Sequence, residues 1–498
     1  MLSLVFVLLH NKPTNKHLIR DICTNYLTMS DFGLFSTIQG EDTIPGPIRK
    51  RIFFCLVIAN VMAVLDSSII NVALPTMQHE LHASARGAVL IVSGYLIACA
   101  ISILPFASLG DKVGYKYIYL LGLGIFTVTS AGCALSPDLS WLVGMRIFQG
   151  LGSAALVCAS MSLIRTVFPV RILGSALGIN ALCVAAGITA GPTIGGFMIS
   201  FLPWPWLFAV NIPLGLAAFI VAFKHLPVGR PEDKPFDYLG TLLSVASITL
   251  LMLALDGMED RDHLNIAMLK LLASLILGIA FITWQRKTPF PLLPLDIFSS
   301  RKFSSAAATS ICCFIAQGAA FIALPFLFQH AFGASPVHSA LLFTPWPVAT
   351  AIAAPLSGRL ADKLSSGVLS TFGIIIYGAG LFSLAILDHS PTMLDICWRT
   401  ALCGLGYGFF QSPNNKELMS NVPLNRTGVA SGILSSARTI GQSLGAGIVG
   451  ICLALSLHHI GTIAGKWENN QSAQYALWAA FAAAILALCF SISRIKTE

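Results

Sequence analysis

The chain is short of charge. Asp, Glu, Lys and Arg make up 10% of its 498 residues, against about 25% in a soluble globular protein. Hydrophobic residues reach 55%, with a mean hydropathy of +0.78. Such a balance excludes a soluble enzyme and predicts a polytopic membrane chain. The cysteines form no CxxC pair and keep no ligand spacing with histidine, so the sequence offers no zinc or redox site. Cys55, Cys99, Cys133, Cys158, Cys183, Cys312, Cys313, Cys403, Cys452 and Cys489 lie in apolar runs and read as small packing residues. There is no GxxxxGK[ST] phosphate loop, which excludes ATP coupling within this chain. A nucleophile constellation is equally lacking, and the histidines fall mostly in loops. The net charge of +8 is scattered through short loops rather than gathered on a patch, which argues against a nucleic-acid partner.

What is present is length in apolar runs. Stretches able to span a bilayer fall at 52–74, 87–108, 117–136, 140–163, 172–200, 206–224, 238–257, 266–284, 304–328, 339–358, 368–387, 396–415, 428–455 and 473–492. They predict fourteen helices with both termini on one side. Most of the 30 basic residues then fall in the loops of that side, which makes it cytoplasmic. Arg146, Arg399 and Arg438 fall within spans, the last two with no evident acidic partner at their depth. Residues 1–50 read as a cytoplasmic extension, of which 1–28 is a disordered extension or an over-called start ahead of Met29. A six-helix bundle is expected over 51–225, two linker transmembrane helices over 226–300, and a second six-helix bundle over 301–498.

Asp66 is the one carboxylate set deep in an apolar segment, Ile52 to Pro75. It lies about 22 Å beyond the basic edge at Arg51 by helix rise. A charge there costs at least a few kcal/mol unless paired or protonated, and marks a functional group by default. Proton carriage is its first candidate role. Arg146 lies at a similar depth in the fourth span. A guanidinium cannot usefully give up its proton, so near Asp66 it would balance the carboxylate's charge, and on moving away it would leave that place to a proton. Gln149, one turn along, could bond either group. A permanent structural ion pair is the plainer reading of the same depths.

The two halves echo each other. Residues 107–116 (ASLGDKVGYK) and 358–363 (GRLADK) are acidic-basic turns, each following a helix end with a proline, Pro105 and Pro355. Paired bundles of this kind are the mark of rocking transporters. Asp111, Lys112, Gly114 and Lys116 in one turn, and Gly358, Arg359, Asp362 and Lys363 in the other, are the candidate gating loops, against the plainer reading of solvated loops that set topology. In the fifth span Gly187, Gly191 and Gly195 recur every four residues on one face and invite close approach of another helix. Pro192 removes a backbone donor there and can kink the helix.

On these motifs the chain resembles the major facilitator superfamily, specifically the fourteen-span drug:proton antiporters of the EmrB/QacA type, over roughly 50–455. The resemblance rests on Leu65–Pro75 (LDSSIINVALP), with Ser68 where Thr is usual, and on 107–116, where Ala107 replaces a glycine and Tyr115 a basic residue. It rests further on Leu142–Gly152 (LVGMRIFQGLG) and on Gly187–Gly196 (GITAGPTIGG). Before the sixth span the family's Trp-Arg-Trp is replaced by Trp204, Pro205 and Trp206, followed by the expected Phe208, Asn211 and Pro213.

The resemblance implies an all-α polytopic membrane protein of the major facilitator fold, with two pseudo-symmetric six-helix bundles plus two central helices. It implies a secondary transporter, not an enzyme, exporting lipophilic, cationic compounds in exchange for protons, with an exporter or uniporter of one small metabolite as the alternative. No cofactor or metal is expected, since the proton gradient drives export. The expected site in the inner (plasma) membrane is Asp66, Arg146 and Gln149 for proton coupling, with Gly187, Gly191, Pro192, Gly195 and Gly196 as the antiporter helix motif. Asn71, Phe314, Phe321, Tyr407, Phe410 and Asn414 are candidate substrate contacts. Partners expected besides substrate, protons and lipid are a periplasmic adaptor and an outer-membrane channel.

Overall fold

A computed structural model of the chain describes residues 44–228, 235–257, 264–361, 363–388, 391–422, 427–457 and 468–495. Every apolar run of the sequence coincides there with a helix or a broken helix. In chain order these are α1 (Gly46–Glu80), α2 (Ala85–Val113), α3 (Tyr115–Ala134), α4 (Leu139–Val167), α5 (Val170–Phe201), α6 (Trp206–Ala209), α7 (Asn211–His225) and α8 (Tyr238–Gly257). There follow α9 (Leu264–Lys287), α10 (Arg301–Phe326), α11 (Pro336–Phe343), α12 (Pro345–Leu360), α13 (Ser366–Ala385), α14 (Met393–Ser420), α15 (Thr427–Leu457) and α16 (Glu468–Ile495). Among the described residues, ten helical stretches are apolar and long enough to cross a membrane unaided. Several of the rest are polar for a reason. α14, for example, carries Arg399, Asn414, Asn415, Lys416 and Glu417, and most of these groups find partners inside the protein.

Three expected spans are interrupted. The sixth breaks at Val210 into α6 and α7, and the tenth at Thr344, where Pro345 opens α12. The ninth ends in a π-helical turn, Leu327–Ala331, in which the Phe332 amide donates to the Leu327 carbonyl five residues back at 3.2 Å. Each turn of this kind holds one residue more than an α-helix would. Several helix starts are capped by a side chain: Ser84 accepts from the Gly87 amide (3.0 Å) and Asp138 from the Trp141 amide (2.8 Å).

Helices α1–α7 pack among themselves, as do α10–α16, and the two sets repeat one pattern. In the first, α4 lies against α2 and α3, while α1 lies against α5 and α7. In the second, α14 lies against α12 and α13, while α10 lies against α15 and α16. The sets meet along α2 with α15 and along α5 with α11 and α12. Between them in sequence, α8 and α9 form a hairpin bolted at one end. The Asp237 carboxylate there accepts from the Gly240 amide (2.8 Å), the Trp284 indole (2.9 Å) and the Gln285 amide (2.7 Å). That hairpin touches the rest of the molecule where α8 meets α2 and α15.

Because successive long helices alternate in direction, Lys112, Lys116, Arg165, Arg286, Lys287, Arg359 and Lys363 all fall at one end of the bundle. This is called the basic face below, and its opposite the far face.

Candidate functional site

Asp66 is completely enclosed. Its Oδ2 pairs with Arg146 Nη1, and both side chains are 0% exposed. Its Oδ1 accepts from Asn211 Nδ2 at 2.7 Å and from Gln149 Nε2 at 3.3 Å. The carboxylate on α1 is thus saturated by donors from α4 and α7. Arg146 does not depend on Asp66 alone. Its Nη1 also donates to Gln149 Oε1 (2.6 Å) and its Nε to the Ile91 carbonyl of α2 (3.1 Å). The guanidinium lies 4.2 Å from the Tyr95 ring centre and 5.7 Å from that of Phe208, faces that attract a cation. Gln149 is held in turn by Ser130 of α3 (2.8 Å), and the Tyr95 hydroxyl by Ser153 (2.7 Å).

Glycines explain why α4 can deliver these groups. A Cβ at Gly150 would run into the backbone of Tyr95, and one at Gly152 would lie 2.8 Å from the Phe126 amide and 2.9 Å from the Gly122 carbonyl. With α4 pressed between α2 and α3, the two side chains of Arg146 and Gln149 reach α1. The chemical consequence is specific. A buried ion pair that loses one partner is strongly destabilising, but here Arg146 retains a carbonyl, an amide and two aromatic faces. The guanidinium is therefore not held by Asp66 alone, while its Nη2 is buried with no acceptor among the described residues.

The antiporter helix motif has two working faces. Gly187, Gly191 and Gly195 lie against α1: a Cβ at 187 would be 3.5 Å from Val61, one at 191 would overlap the Ser68 side chain, and one at 195 would be 2.6 Å from the Ile69 carbonyl. Gly196 faces the other half instead, where a Cβ would collide with Ala340 and approach the Pro336 carbonyl to 2.9 Å. Two hydrogen bonds join the halves at the same level: the hydroxyls of Thr193 and Thr344 (2.8 Å), and Gln329 Nε2 to the Val72 carbonyl (2.9 Å). The two halves therefore touch at the far face. One helix, α5, touches both this contact and the turn of α1 that follows Asp66.

In the first candidate gating loop, the Tyr115 hydroxyl donates to Asp111 (2.6 Å), so tyrosine meets this acid where the resembling family has a basic residue. Gly114 holds φ +103°, a left-handed conformation that glycine tolerates. Lys112 is exposed and Lys116 half-buried. In the second loop Gly358 approaches Ser412, Arg359 and Lys363 are exposed, and Lys416 Nζ donates to the Ala361 carbonyl at 2.7 Å. Asp362 lies outside the described residues, as do residues 1–28.

The second half divides the candidate substrate contacts. Phe314 lies beneath Arg438, with 5.3 Å between guanidinium carbon and ring centre, and Tyr407 donates to Gln317 at 3.1 Å. Phe321 packs against Phe343 and Trp346, and Phe410 against Tyr407, in the interior of the second half. Asn414 is spent on structure: it donates to Ser310 (2.7 Å) and accepts from Arg494 (2.8 Å), which also pairs with Glu417 (3.2 Å). Asn71 is buried with its Oδ1 unpartnered among the described residues. One expectation is corrected here: Arg399 has an acidic partner, Asp395, at 3.0 Å. The two are four residues apart, a spacing that places them on one helix face. Asn211 was the missed member of the Asp66 site. Its signal was an amide following Phe208 at the mouth of an apolar span.

Among the described residues no group of three His, Cys, Asp or Glu side chains is placed to hold a metal. Residues 56–446 match the model of the Major Facilitator Superfamily. The chain is 41% identical to the uncharacterized transporter YebQ of Escherichia coli over 91% of this chain and 97% of that one. It is 30% identical to the riboflavin transporter RibZ of Clostridioides difficile (83% and 89% covered). It is 27% identical to the multidrug export protein EmrB of Haemophilus influenzae (82% and 80% covered). In fold it is similar to a bacterial homologue of the human lysosomal transporter Spinster in an inward-facing, unoccupied conformation, with TM-score 0.65, 16% identity, and 91% and 98% of the two chains covered.

Proposed function

The chain belongs to the Major Facilitator Superfamily, and from that premise we propose that it is a proton-coupled exporter that moves lipophilic compounds out of the cytoplasm by alternating access. Transport across a membrane, rather than an enzymatic reaction, is the activity of this family. The observation that carries the proton coupling is the Asp66 site: a carboxylate sealed inside the membrane part of the protein and held by Arg146, Gln149 and Asn211. A fixed charge so placed is expensive, and the alternative anchors of Arg146 make its release from Asp66 feasible.

In this reading the basic face is cytoplasmic, with both termini on that side of the inner membrane. Contact of the halves at the far face supports entry of substrate from the cytoplasm. Reorientation parts Gly196 from Ala340 and opens the far side, where a proton takes Asp66 and substrate departs. Return of the protonated carrier delivers the proton inward. No cofactor is needed, because the proton gradient supplies the free energy.

Polyspecific drug export and export of one metabolite share this machinery. The motifs resemble those of drug antiporters, while a relative named for riboflavin supports the narrower reading. The test is efflux of a lipophilic dye from cells expressing the chain, with and without a proton ionophore, beside Asp66→Asn. Export that survives both treatments would sink the proposal.

A further inference from the structure

Three arginines of the long helices have carboxylate partners among the described residues. Arg146 pairs with Asp66, Arg399 with Asp395 and Arg494 with Glu417. Arg438 on α15 does not. Among the described residues its Nε is buried with no acceptor, and the group that the guanidinium meets is the ring of Phe314 at 5.3 Å. It stands eleven residues into α15, about 17 Å by helix rise and so near the middle of a hydrocarbon core about 30 Å thick. An unpaired cation at that depth is unfavourable unless something else supplies negative charge.

Its surroundings are arranged like a recognition site. Gln442 is one turn along the same face of α15, and donates to Gln317 Oε1 at 3.4 Å. Gln317, one turn from Phe314 on α10, also accepts from the Tyr407 hydroxyl at 3.1 Å. Arg438 and Gln442 therefore face Phe314 and Gln317 across the α10–α15 contact. Both helices also pack against the first half, α10 on α1 and α15 on α2. Asp66, by contrast, is fully committed to Arg146, Gln149 and Asn211. Among the described residues, the charge left without an opposite partner in this cluster is that of Arg438.

We propose that Arg438, braced on Phe314 and flanked by Gln442, Gln317 and Tyr407, is a substrate subsite for lipophilic organic anions, compounds with an apolar body and a carboxylate or phenolate group. The guanidinium fork pairs with the anionic oxygens, and the substrate completes a charge that the fold leaves open. Cationic compounds, the class implied by the family resemblance, are disfavoured at this point by like charge. The proposal names the substrate class of the exporter described above and rests on that reading for the direction of transport, but binding itself needs no proton gradient.

Binding of fluorescein and of rhodamine 6G, an anionic and a cationic dye on the same xanthene core, to the purified full-length protein by fluorescence polarization at pH 8 tests it. Wild type should bind fluorescein about tenfold or more tightly than rhodamine 6G, and Arg438→Gln should remove that preference by a similar factor. Arg438→Lys, which keeps the charge without the fork, should fall between. Gln442→Leu leaves every charge in place and should weaken fluorescein binding by a few-fold, so the site is tested even if Arg438→Gln does not fold. Asp66→Asn should keep dye binding while losing proton-driven export, which separates failure of the subsite from failure of the coupling. Equal or tighter binding of rhodamine 6G by wild type, no binding of fluorescein, or unchanged fluorescein affinity in a folded Arg438→Gln would overturn the assignment.

Discussion

Gly196 of α5 and Ala340 of α11 touch across the two halves, with no room for a side chain between them. Five residues earlier on the same helix, Gly191 gives the same close approach to Ser68, two residues beyond Asp66. One helix, α5, therefore touches both the turn of α1 beyond Asp66 and the far-face contact with the other half. Displacement of α5 at one end is felt at the other through backbone packing rather than through a flexible loop.

Gly196→Leu should pry the far face open while leaving the Asp66 site intact. A membrane-impermeant maleimide should then label a cysteine placed at Gln329 faster than in the Gly196 background, since Gln329 lies in the seal through its bond to Val72. Equal labelling rates would show that the Gly196 contact does not hold the face shut.

Asp66→Asn removes the titrating group and keeps the shape. Uphill, proton-driven export in proteoliposomes should fall by about tenfold or more. Exchange of labelled for unlabelled substrate, which needs no net proton movement, should persist. Loss of both together would place Asp66 in substrate binding instead.

Arg146→Lys retains the charge but cannot serve Asp66, Gln149 and the Ile91 carbonyl at once with a planar fork. Impaired coupling with retained folding is expected, seen as proton uptake no longer matched to substrate release. Arg146→Ala strands the buried carboxylate and should destabilise by about 3–5 kcal/mol, measurable as a lower melting temperature in detergent. Arg146→Ala combined with Asp66→Asn should recover part of that loss.

Asp237→Ala unbolts the linker hairpin. The Gly240 amide, the Trp284 indole and the Gln285 amide each lose their acceptor, and a buried unpaired donor costs about 1–3 kcal/mol. Earlier unfolding of the purified protein, followed by tryptophan fluorescence, is expected. Export at low temperature should change little, because the hairpin lies outside the Asp66 site.

Much of this was legible in the sequence. Apolar length fixed where the helices run, and helix rise put Asp66 and Arg146 at one depth. Rise says nothing, however, about which faces turn toward each other. That the two groups meet was settled by the glycines at 150 and 152, whose neighbours lie on other helices. The partners of Arg494 remained invisible for the same reason: Ser370 and Asn414 stand 124 and 80 residues away. Arg399 differed, since its acid lies one turn off and needed only a helical wheel. The Gly-Pro-x-x-Gly-Gly run announced a close helix contact, but its spacing alone could not reveal that Gly196 turns away from the other three glycines to meet Ala340. The break at Thr344 was foreshadowed by Pro345, whereas the π-helical turn had no sequence signal that periodicity could detect.

That π-helical turn makes the end of α10 behave as a detent. With one residue more than an α-helical turn can hold, Leu327–Ala331 can shed it by passing each hydrogen bond to the next carbonyl, which advances the chain by about 1.5 Å and rotates it by about 100°. Gln329 rides in this turn and is the side chain that grips the Val72 carbonyl. One click of the backbone therefore swings the grip away while the rest of α10 stays wound, although the turn itself packs on α16. The Gln329–Val72 contact is thus tied to the register of a single helical turn.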